Sequence, residues 1–218
     1  MRVIAISDTH NCHSELVLPD GDVLVHSGDA TNLGKIHEVA AFAQWMGKQP
    51  FAHKIFVAGN HDFLFERHGP LARGVIESAG IIYLQDQEKV IDGVKFYGSP
   101  WQPRFYDWAF NLDRGPLLAK VWDRIPEDTD VLITHGPPAG ILDVAFNDDP
   151  RGGVGCEDLL NRVNVVKPKF HIFGHIHYSY GVKVIGDTTF INAASCGEGN
   201  NIANAPVVFE LTAGVGSS

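Results

Sequence analysis

Short apolar runs that end in clusters of polar residues recur along this chain. Val3-Ile4-Ala5-Ile6 leads into Ser7-Asp8-Thr9-His10, and Asp22-Val23-Leu24-Val25-His26 into Ser27-Gly28-Asp29. Lys54-Ile55-Phe56-Val57-Ala58 ends in Gly59-Asn60-His61-Asp62. Val131-Leu132-Ile133-Thr134 ends in His135-Gly136-Pro137-Pro138, and Phe170-His171-Ile172-Phe173 in Gly174-His175-Ile176-His177. Unbroken apolar runs of this length, bounded by turn residues, predict strands buried on both faces. Apolar residues at Ile36, Val39, Ala40, Phe42, Ala43 and Met46 have helical spacing and predict a helix over 35–48. A second helix is predicted over 71–79, closed by Gly80.

The middle of the chain has a different pattern. Short strands are predicted over 81–84, 89–91 and 94–98, the last two joined at the hairpin turn Asp92-Gly93. Helices follow over 117–123 and 157–163, and 182–211 reads as three antiparallel strands with a turn at Gly186-Asp187. Strands alternating with helices in the first third imply βαβ units, and the strand-rich remainder implies two packed sheets. The expected architecture is α/β: one domain over 1–213, a two-sheet β-sandwich flanked by helices, with a short tail over 214–218.

Composition narrows the class. The chain has 218 residues, of which 44% are hydrophobic and 20% charged. That supports a real core and excludes disorder as the main state. No apolar run approaches the ~20 residues of a membrane span. The first residues do not resemble a signal peptide, so a cytoplasmic protein with no membrane partner is expected. The net charge is -9 and no Lys/Arg cluster is present, which argues against a long nucleic acid as partner. Cys12, Cys156 and Cys196 form no CxxC pair, so neither a zinc knuckle nor a disulfide framework is expected. Histidine stands out, with 11 residues.

Five of the predicted strands end in side chains that bind metals. In open α/β sheets the carboxyl ends of parallel strands form the ligand crevice. Parallel strands here would bring the five clusters to one edge and offer Asp, His and Asn donors, without thiolate, to two cations. Such donors suit Mn, Fe or Zn better than Ca or Mg alone. Taken singly, Asp-x-His after a strand is ordinary turn chemistry, and Gly28-Asp29 says little. Asn60-His61-Asp62 is an unusual exit from a buried strand, and His175 and His177, two apart on an extended segment, face one side. His26 and His171 lie within strands and read as packing residues, and His37, His53 and His68 as surface ones. His13 and Asn11 are close enough to Asp8-Thr9-His10 to reach a substrate.

The ordered series D-x-H, GD, GNHD, H and GHxH resembles the calcineurin-like metallophosphoesterase superfamily, from Val3 to about Ser195. Ser99-Pro100-Trp101-Gln102-Pro103, Thr134-His135-Gly136-Pro137-Pro138, Gly155-Cys156 and Phe173-Gly174-His175-Ile176-His177 resemble the branch containing the mammalian metallophosphoesterase-domain proteins. That branch is associated with phosphodiesterase activity and nucleotide binding. The resemblance implies Asp8, His10 and His177 on one metal, Asn60, His135 and His175 on the other, and Asp29 bridging them. Part of the branch has Gly for the first His of GHxH; this chain keeps His175, which implies both sites. It further implies two divalent ions, with Mn favoured, and hydrolysis of small or nucleotide phosphodiesters by a metal-bridging hydroxide.

In this reading His61 meets the substrate phosphate with Asn60 and assists the leaving group, and Asp62 lies behind His61 and orients it. The loop 100–110 is read either as a hydrophobic cover or as a wall where Trp101 stacks a base and Arg104 meets a phosphate. The stretch 146–155, with Asp148, Asp149, Arg151 and two glycines, is read as a lid or a long connection. The alternatives are a phosphomonoesterase, including a protein phosphatase, and a non-catalytic scaffold binding nucleotide or protein.

Overall fold

The computed structural model describes residues 1–147, 150, 152–197 and 199–211. Asp148, Asp149 and Arg151 of the glycine-rich stretch, and the expected tail 214–218, lie outside the described residues. The strands are β1 (Arg2–Ile6), β2 (Val23–His26), β3 (His53–Phe56), β4 (Ile82–Tyr83), β5 (Gln87–Ile91), β6 (Val94–Ser99), β7 (Gln102–Pro103), β8 (Asn111–Leu112), β9 (Val131–Thr134), β10 (Phe170–Phe173), β11 (Gly181–Ile185), β12 (Thr188–Asn192) and β13 (Val207–Glu210). The helices are α1 (Ile36–Gly47), α2 (Phe63–Arg67), α3 (Gly69–Ser78), α4 (Pro116–Trp122) and α5 (Glu157–Val166).

Two main sheets form, in the orders β13-β1-β2-β3-β4 and β11-β12-β10-β9-β6-β5. β1, β2, β3 and β4 run parallel in the first, and β6, β9, β10 and β12 in the second. The apolar runs are continuous because both strand faces are covered. Val3, Val23, Val25 and Ile55 of the first sheet meet Phe96, Val131, Ile133 and Ile172 of the second between the sheets. The alternate residues Ile4, Leu24 and Phe56 face outward onto Val39, Phe42, Met46 and Ile76 of α1 and α3. On the far side Leu132, Phe173 and Phe190 pack on Leu118, Trp122, Leu159 and Val163 of α4 and α5. The result is the expected layering of helices, two sheets and helices.

One expectation changes, and one element is new. Of the three strands expected to be antiparallel at the end, β11 and β12 do pair so, but β13 crosses to the other sheet and pairs with β1. α2 was not legible in the pattern, because it is a single short turn directly after Asn60-His61-Asp62. The five polar clusters sit at the carboxyl ends of β1, β2, β3, β9 and β10. A bridge between Ser7 and Ala194 draws the two sheets together at that edge. Cys12, Cys156 and Cys196 are free thiols. Among the described residues, no helix is long and apolar enough to cross a membrane.

Candidate metal centre

The clusters converge. Asp8, His10 and His177 bring donor atoms within 4.8 Å of one another, as do Asp29, His135 and His175, and His10, Asp29 and His61. Asp29 is shared by the last two groups, the position expected of a bridge. His10 Nε2 lies 3.3 Å from His177 Nε2 and 3.9 Å from Asp29 Oδ2. His135 Nε2 lies 3.3 Å from Asp29 Oδ2 and 2.8 Å from Asn60 Oδ1. His177 Nε2 is 3.4 Å from Asp8 Oδ1.

The backbone is bent to hold this arrangement. Asp8, His10, Asp29 and His175 have positive φ angles of 50°, 41°, 55° and 67°. Left-handed backbone in such residues is uncommon and clusters at functional sites. At Gly174, a Cβ would overlap the Asp8 carboxylate and the Ser7 hydroxyl, so only glycine lets β10 pass so close. The His175 N–H then donates to both Asp8 oxygens, at 3.0 and 2.9 Å.

Hydrogen bonds outside the cluster aim the rings. His135 Nδ1–H donates to the Ser27 carbonyl (3.0 Å) and His177 Nδ1–H to the Gly197 carbonyl (3.1 Å). A carbonyl can only accept, so each Nδ1 carries the proton and each Nε2 faces the centre.

The donor set fits divalent cations. Asp8 and Asp29 are 0% and 2% exposed, and among the described residues neither pairs with a lysine or arginine. Burial opposes ionisation of both, but the hydrogen bond and charge of His177 hold Asp8 low, and His135 holds Asp29 well below the usual carboxylate range. In return, and against their own burial, His135 is pushed up to about 9 by Asp29, and His177 to about 9 by Asp8. Burial, with His135 adding to it, takes His175 down to about 4. Buried carboxylates thus draw positive charge into a nest of imidazoles, which two divalent ions would supply directly.

His61 sits at the rim. Its Nδ1–H donates to the Asn32 carbonyl at 2.8 Å, and its backbone N–H donates to Asp29 Oδ1 at 2.8 Å. Nε2 is therefore the nitrogen turned to the centre, 3.9 Å from Asp29 Oδ2. Trp108 lies against the ring, with centroids 4.0 Å apart. Asp62 does not hold the His61 ring, contrary to expectation. Its carboxylate accepts from the Thr31 hydroxyl (2.7 Å) and from the N–H groups of Thr31, Ala30 and Gly59 (3.0, 3.3 and 2.8 Å). It ties the β2 and β3 loops together, and burial, with Asp29 nearby, raises it to about 6.

The loop 100–110 also differs from expectation. Trp101 lines neither cavity at the centre: its Nε1–H donates to Asp86 Oδ2 at 2.9 Å and its ring packs on Phe110. Arg104 lines the larger cavity but pairs with Asp113 at 2.7 Å. Phe105 and Trp108 are the aromatics at the centre, and no periodicity distinguished them from Trp101. His13 turns from the site toward Phe42 and Trp45. Asn11 donates to Glu38 at 2.7 Å. His26 and His171 are packing residues as expected, bonded to Thr9 and Thr134.

The sequence profile of the family described as Calcineurin-like phosphoesterase matches residues 1–179. The human Metallophosphoesterase domain-containing protein 1 is 42% identical over 232 residues, covering 96% of this chain and 71% of that protein. A UPF0046 protein of Caenorhabditis elegans is 42% identical over 223 residues, covering 97% of this chain and 75% of its own. Among solved structures, the phosphopantetheinyl hydrolase PptH of Mycobacterium tuberculosis superposes with a TM-score of 0.63 at 15% identity, covering 91% of this chain and 90% of that one. The protein TT1561 of Thermus thermophilus gives 0.62 at 14% identity, covering 88% of each. At such identities these two speak for the fold alone.

Proposed function

The chain belongs to the calcineurin-like phosphoesterase family of metal-dependent phosphoric ester hydrolases, and from that premise we propose that it is a phosphodiesterase acting on small organic or nucleotide phosphodiesters. Asp8, His10 and His177 would hold one divalent cation, and Asn60, His135 and His175 the other, with Asp29 between them; manganese is the favoured ion. Two such cations neutralise the phosphate oxygens and make a water acidic enough to attack near pH 7.

The protein's own groups do the rest. Asn60 and His61 would meet the phosphate. His61, with Nδ1–H committed to Asn32, can present a proton only at Nε2. That proton goes to the departing alkoxide, help worth ~10²–10⁴-fold. Asp62 keeps the Asp29 and Asn60 loops in register from behind.

One observation carries the choice of diester. Among the described residues, the cavity at the centre is lined by His10, Asp29, Asn60, His61, Phe105, Trp108, His175, His177 and Asn200, with neither arginine nor lysine among them. A phosphomonoester brings a second negative charge, and arginine forks are the usual partners for it. A diester, with a single charge, needs no such partner.

The test is the manganese-loaded protein on bis-p-nitrophenyl phosphate and p-nitrophenyl phosphate. The reading requires kcat/KM to be at least tenfold higher on the diester. A preference for the monoester would make the chain a phosphomonoesterase. Inactivity on both with metal bound would leave a binding scaffold.

A further inference from the structure

We propose that the cavity of about 400 Å³ beside the His175–His177 loop seats the retained ester group of the diester, a planar organic group. The leaving group then departs through the smaller cavity at His61. This rests on the diesterase reading above and adds which of the two ester groups goes where.

The two cavities share a wall. Phe105, His175 and His177 line both. His61 and Trp108 line only the smaller one, of about 180 Å³. Pro137, Val154 and Ile176 line only the larger. In an in-line displacement the attacking and leaving oxygens lie on opposite sides of phosphorus, so the leaving oxygen must be the one near the proton donor. His61 does not reach the larger cavity. A group seated there is therefore not the one that His61 releases. Water adds its oxygen to phosphorus, and the P–O bond to the leaving group breaks. The leaving oxygen takes its proton from His61 Nε2, which is restored by the proton that the attacking water loses. The products are a monoester of the retained group and one alcohol.

The lining states the chemistry of that group. Pro103, Phe105, Pro137, Val154 and Ile176 present flat or branched apolar surface. No Asp or Glu lines the cavity among the described residues. Its two arginines are held in place by the protein: Arg104 pairs with Asp113, and Arg114 donates to the carbonyls of Gly155 and Val154 at 2.8 and 2.9 Å. Gln102 is 1% exposed, and its Oε1 has no hydrogen-bond partner while its Nε2 donates to Asn111. A buried acceptor thus stands without a partner in the wall of a largely apolar slot, in the size range of small-ligand pockets. An aromatic ring carrying an N–H or amino group answers to it.

The experiment compares phenyl p-nitrophenyl phosphate with methyl p-nitrophenyl phosphate. Both release p-nitrophenolate and differ only in what stays on phosphorus. KM should be at least tenfold lower for the phenyl ester. Val154→Trp, which fills the larger cavity, and Phe105→Ala, which removes its shared wall, should each shrink that ratio at least fivefold. Circular dichroism confirms that each variant is folded, and should Val154→Trp fail to fold, Phe105→Ala decides. Calorimetric binding of phenyl phosphate against methyl phosphate should follow the same order without turnover. Hydrolysis of both diesters with equal KM, or a ratio that neither variant alters, overturns the retained-group site and leaves the diesterase reading standing. Turnover of p-nitrophenyl phosphate but of neither diester overturns both.

Discussion

His61 is the residue whose surroundings say most about its work. The Asn32 carbonyl takes one nitrogen, Trp108 covers one face, and Nε2 is left toward the centre. His61→Gln should retain metal, because His61 is the one histidine of the cluster set outside the expected ligands. With a ribose alkoxide as leaving group the rate should fall by about 10²-fold or more, and much less with p-nitrophenolate, which departs without a proton. Steady-state rates on both substrates, with metal content on the same samples, check this. An equal drop on both would mean that His61 only holds the phosphate. In the proposed mechanism Trp108 acts through His61 as a positioning residue. An aromatic contact is worth ~0.5–1.5 kcal/mol, or roughly 2- to 10-fold in rate. Trp108→Ala should lower kcat by that factor on the poor leaving group and leave metal content intact, and Trp108→Phe should recover most of it. The role of Trp108 was invisible in the sequence. Trp101 and Trp108 belong to one aromatic stretch, and it is tertiary contacts, the Ala109 N–H bond to the Asn60 carbonyl (3.0 Å) and the Phe110 N–H bond to Glu66 Oε1 (2.7 Å) among them, that hold the second against the site.

At the level of elements, the centre is a property of strand ends. β1, β2 and β3 deliver Asp8, Asp29 and Asn60 from one sheet, and β9 and β10 deliver His135, His175 and His177 from the other. This much was legible, because a buried parallel strand has an unmistakable apolar run and must end in a loop at the crevice. The pairing of β13 was not legible. Its half-buried pattern says strand, but its partner β1 lies at the other end of the chain, and local periodicity carries no information about partners. The close passage of β10 over β1 gives a sharp test. Gly174→Ala forces a methyl group into the Asp8 carboxylate. It should cost the ion assigned to Asp8, His10 and His177 before the other, read as a drop toward one metal per chain by mass spectrometry. Two ions retained at wild-type affinity would mean that β10 can shift away.

For the whole molecule, the centre lies where the two sheets meet, and the histidines that pack the core beside it make the fold acid-sensitive. Burial holds both His26 and His171 down to about 3. Unfolded, each would titrate near 6.5. Below that pH the unfolded chain takes up protons that the native state refuses, so stability is complete above about 6.5 and is lost as pH falls toward 3. For His171 the loss at pH 5 amounts to about 2 kcal/mol. His171→Asn therefore destabilises at pH 7.5 through lost packing on Phe173 and Phe190, but its deficit should shrink by about that amount at pH 5. Urea midpoints at the two pH values check this, and a deficit independent of pH would contradict it. The proposed function stands on a two-metal centre joined by Asp29 that hydrolyses a diester. Its most direct test is metal content and bis-p-nitrophenyl phosphate turnover on the same samples of wild type and Asp29→Asn. The wild type should hold two divalent ions per chain and turn the diester over, and the variant should lose metal from both sites and with it all turnover. A variant that still holds two ions and turns over at the wild-type rate would contradict it.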